Sequence, residues 1–190
     1  IEEVHKLGLK IRMIAPSHGV IWRGSPTKIV EAYLRWAQGE ARSRVLVVYD
    51  TMWGSTEKMA RAMIEGISSE GVEAILYRIP FSDRGDVLKE LLDAKGLLIG
   101  SSTINNNILP TIAPFLEELV GLRPVKKIAA AFGSYGWGGG AVKTIEARLR
   151  EAGMEMAIPA LTVKWVPDEN EVQKCLEFGR EFAKKVKETE

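Results

Sequence analysis

The chain has 190 residues, a net charge of only +1 and 46% hydrophobic residues, enough for one full domain plus a fragment with a core of ordinary size. No basic block marks it for nucleic acid, and no apolar run reaches the roughly 18 residues that a membrane span needs. A single cysteine, Cys175, excludes an internal disulfide and a thiolate-built zinc or iron–sulfur site. Residues 1–10 mix charges of both signs and show no signal-peptide core, so the expected location is cytoplasmic.

A break near Gly39–Arg44 divides the chain. Before it, Ile11–Ala15 is a short strand candidate, followed by the polar Pro16-Ser17-His18-Gly19. Ser25-Pro26 then reads as a helix start, a serine cap with proline in the first turn. Ile29, Ala32, Tyr33, Trp36 and Ala37 recur at helical spacing. This segment is too small to close a core of its own. His5 reads as an exposed polar residue.

After the break the pattern becomes regular. Val45–Tyr49 is a continuous apolar run, as in a strand buried on both faces. A helix over Thr56–Glu70, a strand over Glu73–Ile79, a short helix around Asp86–Asp93 and a strand over Gly96–Gly100 follow. The remainder predicts a helix over Ile112–Gly121, a strand over Lys127–Phe132, a helix over Ala141–Ala152, a fifth strand over Glu155–Val163 and a last helix from Asp168 to Lys187. Strands alternating with helices argue an α/β fold, a parallel sheet with helices on both faces. Cys175 falls on the apolar face of the last helix and is expected to be packed.

Ligands of open α/β sheets bind beyond the carboxyl ends of the strands, where strand order reverses. Three loops therefore matter: residues 51–56 (TMWGST), 101–107 (SSTINNN) and 133–140 (GSYGWGGG), none with a charged side chain. The first follows a buried strand and opens a helix, so its free N–H groups and positive dipole end suit a phosphate. Thr51, Ser55 and Thr56 add hydroxyls, and Gly54 permits a positive φ. A plain helix cap by Ser55 or Thr56 is the competing reading. Trp53, Tyr135 and Trp137 offer stacking surfaces, and Thr103, Asn105 and Asn106 offer hydrogen bonds to a heterocycle. Asn105-Asn106-Asn107 also suits a turn. Gly136 to Ala141 fits a dinucleotide fingerprint, but it follows the fourth strand rather than the first of a mononucleotide unit. Trp165, after the fifth strand, reads as rim packing.

Together the three loops resemble the flavodoxin family, and more narrowly the C-terminal half of flavo-diiron proteins, the A-type flavoproteins. Residues 52–58 (MWGSTEK), 103–110 (TINNNILP) and 132–137 (FGSYGW) carry the resemblance. It implies a flavodoxin-like five-stranded parallel sheet in the order 2-1-3-4-5, spanning residues 44–190. It implies FMN held by Thr51, Met52, Trp53, Gly54, Ser55, Thr56, Ser102, Thr103, Ile104, Asn105, Asn106, Ser134, Tyr135, Gly136, Trp137 and Gly138. Ser102 stands where the family has proline, which implies a looser loop with binding retained. Residues 15–19 (APSHG) resemble the end of the metallo-β-lactamase-like domain that precedes the flavodoxin domain in such proteins, so residues 1–40 are expected to be its remnant. His18 matches the last iron ligand of that domain, but two histidines in the whole chain cannot hold a diiron centre.

The resemblance further implies electron transfer to a diiron centre that reduces dioxygen or nitric oxide in the complete protein. The implied donor is rubredoxin, an attached reductase or reduced coenzyme F420, and the implied assembly a head-to-tail homodimer. With no Lys or Arg beside the ring, bound FMN is expected to have a low potential. One alternative is an FMN-dependent NAD(P)H:quinone reductase of the same fold, against which the His18 segment argues. A receiver-type signalling module would need an aspartate at the end of the third strand, where this chain has Gly100 and Ser101.

Overall fold

The computed structural model describes residues 6–8 and 10–189. His5 lies outside them. The chain falls into two compact units, Ile1–Glu40 and Ala41–Glu190. In the first, the expected strand over Ile11–Ala15 reduces, among the described residues, to one antiparallel bridge between Ile14 and Trp22. Helix α1 spans Thr27–Gln38 and closes on Gly39 at φ 77°. Pro26, not Ser25, takes its N-cap position, and no side chain caps it. Serine contributes instead its backbone carbonyl, which accepts the Lys28 N–H. None of α1's residues is buried, as expected of a segment without a core of its own.

The second unit is a three-layer α/β sandwich. Its elements are β1 (Arg42–Asp50), α2 (Ser55–Ser69), β2 (Glu73–Arg78), α3 (Arg84–Asp93), β3 (Ala94–Ser102), α4 (Ala113–Leu122), β4 (Ile128–Tyr135), α5 (Gly140–Glu151), β5 (Glu155–Met156), β6 (Leu161–Lys164) and α6 (Glu169–Glu188). All pairings are parallel, in the order β2-β1-β3-β4-β5, with β6 also on β4. The fold is flavodoxin-like, as expected. The single fifth strand of the sequence reading is broken at 157–160, where Pro159 has no N–H to give a ladder.

Although β1 is apolar throughout, its side chains still alternate between faces. Val45, Val47 and Tyr49 face α2 and α6, packing with Met59, Met63, Phe178 and Phe182. Leu46 and Val48 join Leu97, Ile99, Phe115, Leu116 and Ile145 on the opposite side. Cys175 is fully buried in the first cluster, and burial pushes its thiol up to about 12. Helix α6 starts from a capping box in which Asp168 and Glu171 bond each other's backbone N–H groups. No described helix is long and apolar enough to cross a membrane.

Candidate functional site

The register brings the ends of three strands abreast. Asp50 pairs Ser101, and Ser102 pairs Ser134, so the loops after β1, β3 and β4 leave the sheet side by side. They enclose a cleft of about 420 Å³, within the range of small-ligand sites.

At one end is the N-terminus of α2. Gly54, in the left-handed region at φ 85°, turns the chain into the helix. The first intrahelical bond runs from the Lys58 N–H to the Gly54 carbonyl, so the N–H groups of Ser55, Thr56 and Glu57 stand outside the helix's own ladder. No side chain caps this helix, and the capping reading of Ser55 or Thr56 fails. Ser55 lines the cleft. Thr56 is wholly buried, its Oγ1 lying 3.0 Å from both Ser102 Oγ and Ser134 Oγ.

That hydroxyl triangle joins the loops after β1, β3 and β4. Ser102 Oγ also accepts the Met52 N–H at 3.4 Å. The serine in the proline's place therefore ties the loops together rather than loosening one. Thr51 is committed in the same way. Its Oγ1 accepts the Gly54 N–H at 3.0 Å, and its own N–H donates to Asp50 Oδ1 at 2.7 Å. Asp50 Oδ2 accepts the Thr111 hydroxyl at 2.5 Å. The buried Asp50 thus clamps the first loop to the segment after the second, a role that no sequence pattern signals.

The rest of the cleft wall is built from a turn and exposed indoles. Ile104 and Asn107 exchange both backbone hydrogen bonds, at 2.9 and 2.8 Å. Asn105 and Asn106 between them sit at φ 49° and 56°. Two successive left-handed residues make a type I′ turn, for which asparagine is well suited. Against it lies the glycine run of the third loop. A Cβ on Gly140 would stand 1.8 Å from the Asn106 carbonyl oxygen, so the glycines serve close loop packing and not a dinucleotide fingerprint. Thr103 Oγ1 accepts the Ala141 N–H at 3.4 Å and so serves the otherwise uncapped start of α5. Trp53 and Trp137 are 90% and 92% exposed, far more than aromatics held for packing.

Of the candidate residues, the structure brings Met52, Trp53, Ser55, Ser102, Thr103, Asn105, Asn106, Ser134, Tyr135, Gly136, Trp137 and Gly138 to the cleft wall. Thr51 and Thr56 lie beneath it with their hydroxyls engaged, and Gly54 shapes the turn. Ile104 faces a neighbouring groove beside Pro110 and Leu116. Trp165 also lines the wall, where the sequence favoured rim packing over flavin contact. No charged side chain lines the cleft among the described residues. At the end of β3, a Cβ on Gly100 would sit 2.2 Å from the Phe132 ring, which leaves no room for a receiver-type aspartate.

Residues 47–179 match the flavodoxin family profile. The chain belongs to the flavodoxin family. It is 51% identical over 187 residues to a nitric oxide reductase of Moorella thermoacetica, covering 98% of this chain and 47% of that protein. Among solved structures it resembles the rubredoxin oxygen:oxidoreductase of Desulfovibrio gigas (TM-score 0.92, 35% identity, 99% of this chain and 47% of that one). It also resembles the flavodiiron protein of Giardia intestinalis (TM-score 0.89, 30% identity, 99% and 48%). The chain thus spans about half the length of the relatives it matches, and corresponds to the flavodoxin-like part of flavodiiron proteins. FMN is the cofactor of this flavodoxin domain. The residues fit it: free N–H groups of a helix start for an anion, amides for the edges of a heterocycle, and indoles for its faces.

His18, in the first unit, is exposed, and its Nδ1 lies 3.1 Å from Ser17 Oγ. It borders an apolar hollow with Ile14, Trp22, Tyr33 and Trp36. Among the described residues no group of three or more His, Cys, Asp or Glu could hold a metal ion. The side chains present do not fit a diiron centre.

Proposed function

We propose that the cleft described above is the FMN site and that this chain is the electron-delivering half of a longer flavo-diiron protein. In this reading residues 1–40 are the tail of a preceding metallo-β-lactamase-like domain, and His18 is an iron ligand whose companions lie on the rest of that protein. The electrons pass on to that metal-bearing part, which reduces dioxygen or nitric oxide. They arrive from rubredoxin, a reductase or reduced F420, and a homodimer brings one subunit's flavin to the other's metal. The observation that carries the reading is an uncharged cleft whose wall carries an uncapped helix start and two exposed indoles.

Bound FMN supplies the electron transfer itself. The chain's own residues bind and orient it. The N–H groups of Ser55, Thr56 and Glu57 and the Ser55 hydroxyl receive the phosphate. Thr103, Asn105 and Asn106 meet the polar edges of the ring, while Trp53 and Trp137 cover its faces. Buried Thr56, Ser102 and Ser134 hold these loops at fixed spacing before the cofactor arrives.

The test is anaerobic. The FMN-loaded chain is reduced and mixed with the metal-bearing remainder of the longer protein and nitric oxide. Flavin absorbance is expected to recover only when both partners are present. Recovery at the same rate without the metal-bearing part sinks the proposal, and steady NAD(P)H-to-quinone turnover by the isolated chain favours the quinone reductase instead.

A further inference from the structure

We infer that Trp165 is a positioning residue for the flavin ring, holding Trp137 at the cleft mouth through a strained backbone. The inference rests on the reading of this cleft as the FMN site. Strand β6 pairs with β4 up to Lys164 against Tyr135. The next residue breaks the strand conformation. Trp165 adopts φ 62°, a left-handed geometry that suits glycine or asparagine and is an outlier for a bulky side chain. Such geometry persists only where its surroundings over-determine it, and it clusters at ligand sites.

Three contacts over-determine it here. The Trp165 N–H donates to the Tyr135 carbonyl at 2.7 Å, which pins the backbone to the end of β4. The indole then lies across Gly136, where a Cβ would stand 2.7 Å from the ring. Only a residue without a side chain at 136 lets the indole lie there. The same ring meets Trp137 edge to face, with centroids 4.9 Å apart and planes at 79°. Trp137 is 92% exposed, and this ring contact gives its indole a neighbour. Both tryptophans line the cleft. Trp165 thus fixes an aromatic wall in advance, and an indole already held loses less freedom when the ring binds.

An ordinary packing residue and a strained positioning residue differ in what Trp165→Gly does. Loss of ordinary packing lowers stability. Glycine here removes the ring and also relieves the left-handed backbone, so stability is held or raised while ring binding falls. The experiment uses the whole 190-residue chain, freed of flavin. It measures thermal midpoint and dissociation constants for FMN and riboflavin in the parent, Trp165→Gly, Trp165→Phe, Trp137→Ala and the Trp137→Ala/Trp165→Gly double variant.

The expected result for Trp165→Gly is about a five- to tenfold loss of affinity for both flavins, an unchanged or higher midpoint, and a changed visible circular dichroism band of the bound flavin. Trp165→Phe restores affinity to within about twofold and restores the band. Once Trp137 is alanine, Trp165→Gly costs nothing further, since its effect runs through that indole. Undiminished riboflavin affinity in Trp165→Gly overturns the inference alone, as does a full additional loss in the Trp137→Ala background. Should the glycine variant not fold, Trp165→Asn, which tolerates the same φ, is held to the same outcomes. A parent chain that takes up no flavin overturns the reading of the cleft, and this inference with it.

Discussion

The two ends of the flavodoxin sheet are built from opposite materials. At the carboxyl ends of the strands the cleft wall is uncharged, its hydroxyls form a buried triangle, its asparagines sit at positive φ, and its indoles face outward. At the amino ends the groups are charged and locked into the protein. Arg44 lies 2.9 Å from Glu73 and 2.8 Å from Glu90. Lys95 donates to the Thr189 carbonyl. Lys127 is buried, its Nζ donating to the Leu92 carbonyl at 2.9 Å. Charge at that end serves the fold, and positive φ occurs there too, at Arg123 and Lys126, so what sets the other end apart is its uncharged wall and exposed indoles. A change at the amino ends should therefore alter stability and leave flavin affinity alone, and a change on the exposed cleft wall should alter flavin affinity.

The largest effect is expected at Lys127. Burial lowers its ammonium from 10.5 to about 8. Between those values the unfolded chain binds the proton and the folded chain does not, so stability rises with pH through this window. The displacement corresponds to about 3 kcal/mol, at about 1.4 kcal/mol per pH unit. Denaturant unfolding from pH 7 to 10 should show the parent gaining most of this relative to Lys127→Met, with FMN affinity equal in the two. Parallel stability curves would break the comparison at its amino end.

Gly140→Val comes next. Its Cβ would meet the Asn106 carbonyl and displace the turn from α5. Flavin affinity should fall about 100-fold, or about 2.7 kcal/mol, by fluorescence titration with both FMN and riboflavin. Inorganic phosphate binding at the α2 end should be unaffected. A loss confined to FMN would place the Asn106 turn at the wrong end of the cofactor.

The smallest effect sharpens the electrostatic contrast. With no charged wall residue, bound FMN should be reduced at a lower potential than free FMN. Met52→Lys brings a cation to that wall and should raise the midpoint by about 30 mV, equal to about 1.4 kcal/mol for two electrons. Redox titration of both proteins checks it, and an unmoved midpoint would show that wall charge does not set the potential.

The sheet was readable because its signals are local: an apolar run from Val45 to Tyr49, helical periodicity through Met59, Met63 and Ile67, and loops whose polarity changes abruptly. In the cleft the failures share one cause, which is that the deciding partner lies far away in sequence. Thr56 reads as a ligand hydroxyl until Ser102 and Ser134 are brought to it. Ser102 reads as a loosening substitution until the Met52 N–H arrives. Trp165 reads as rim packing because neither its φ nor the space at Gly136 is written in adjacent residues. Composition located the cleft, and tertiary placement decided which of its side chains face inward.

The order in which the cleft's walls occur along the chain has a consequence for biosynthesis. The wall begins at Met52, close behind β1, and is finished only by Trp165, just before the last helix. The strand ends that carry the loops are joined by parallel pairings, each needing a long crossover before it can form. A chain emerging amino end first therefore exposes Trp53 and the uncapped helix start at Ser55 well before Tyr135, Trp137 and Trp165 exist. On the proposed assignment of the cleft to FMN, the full wall is available to the cofactor only once synthesis has passed Trp165.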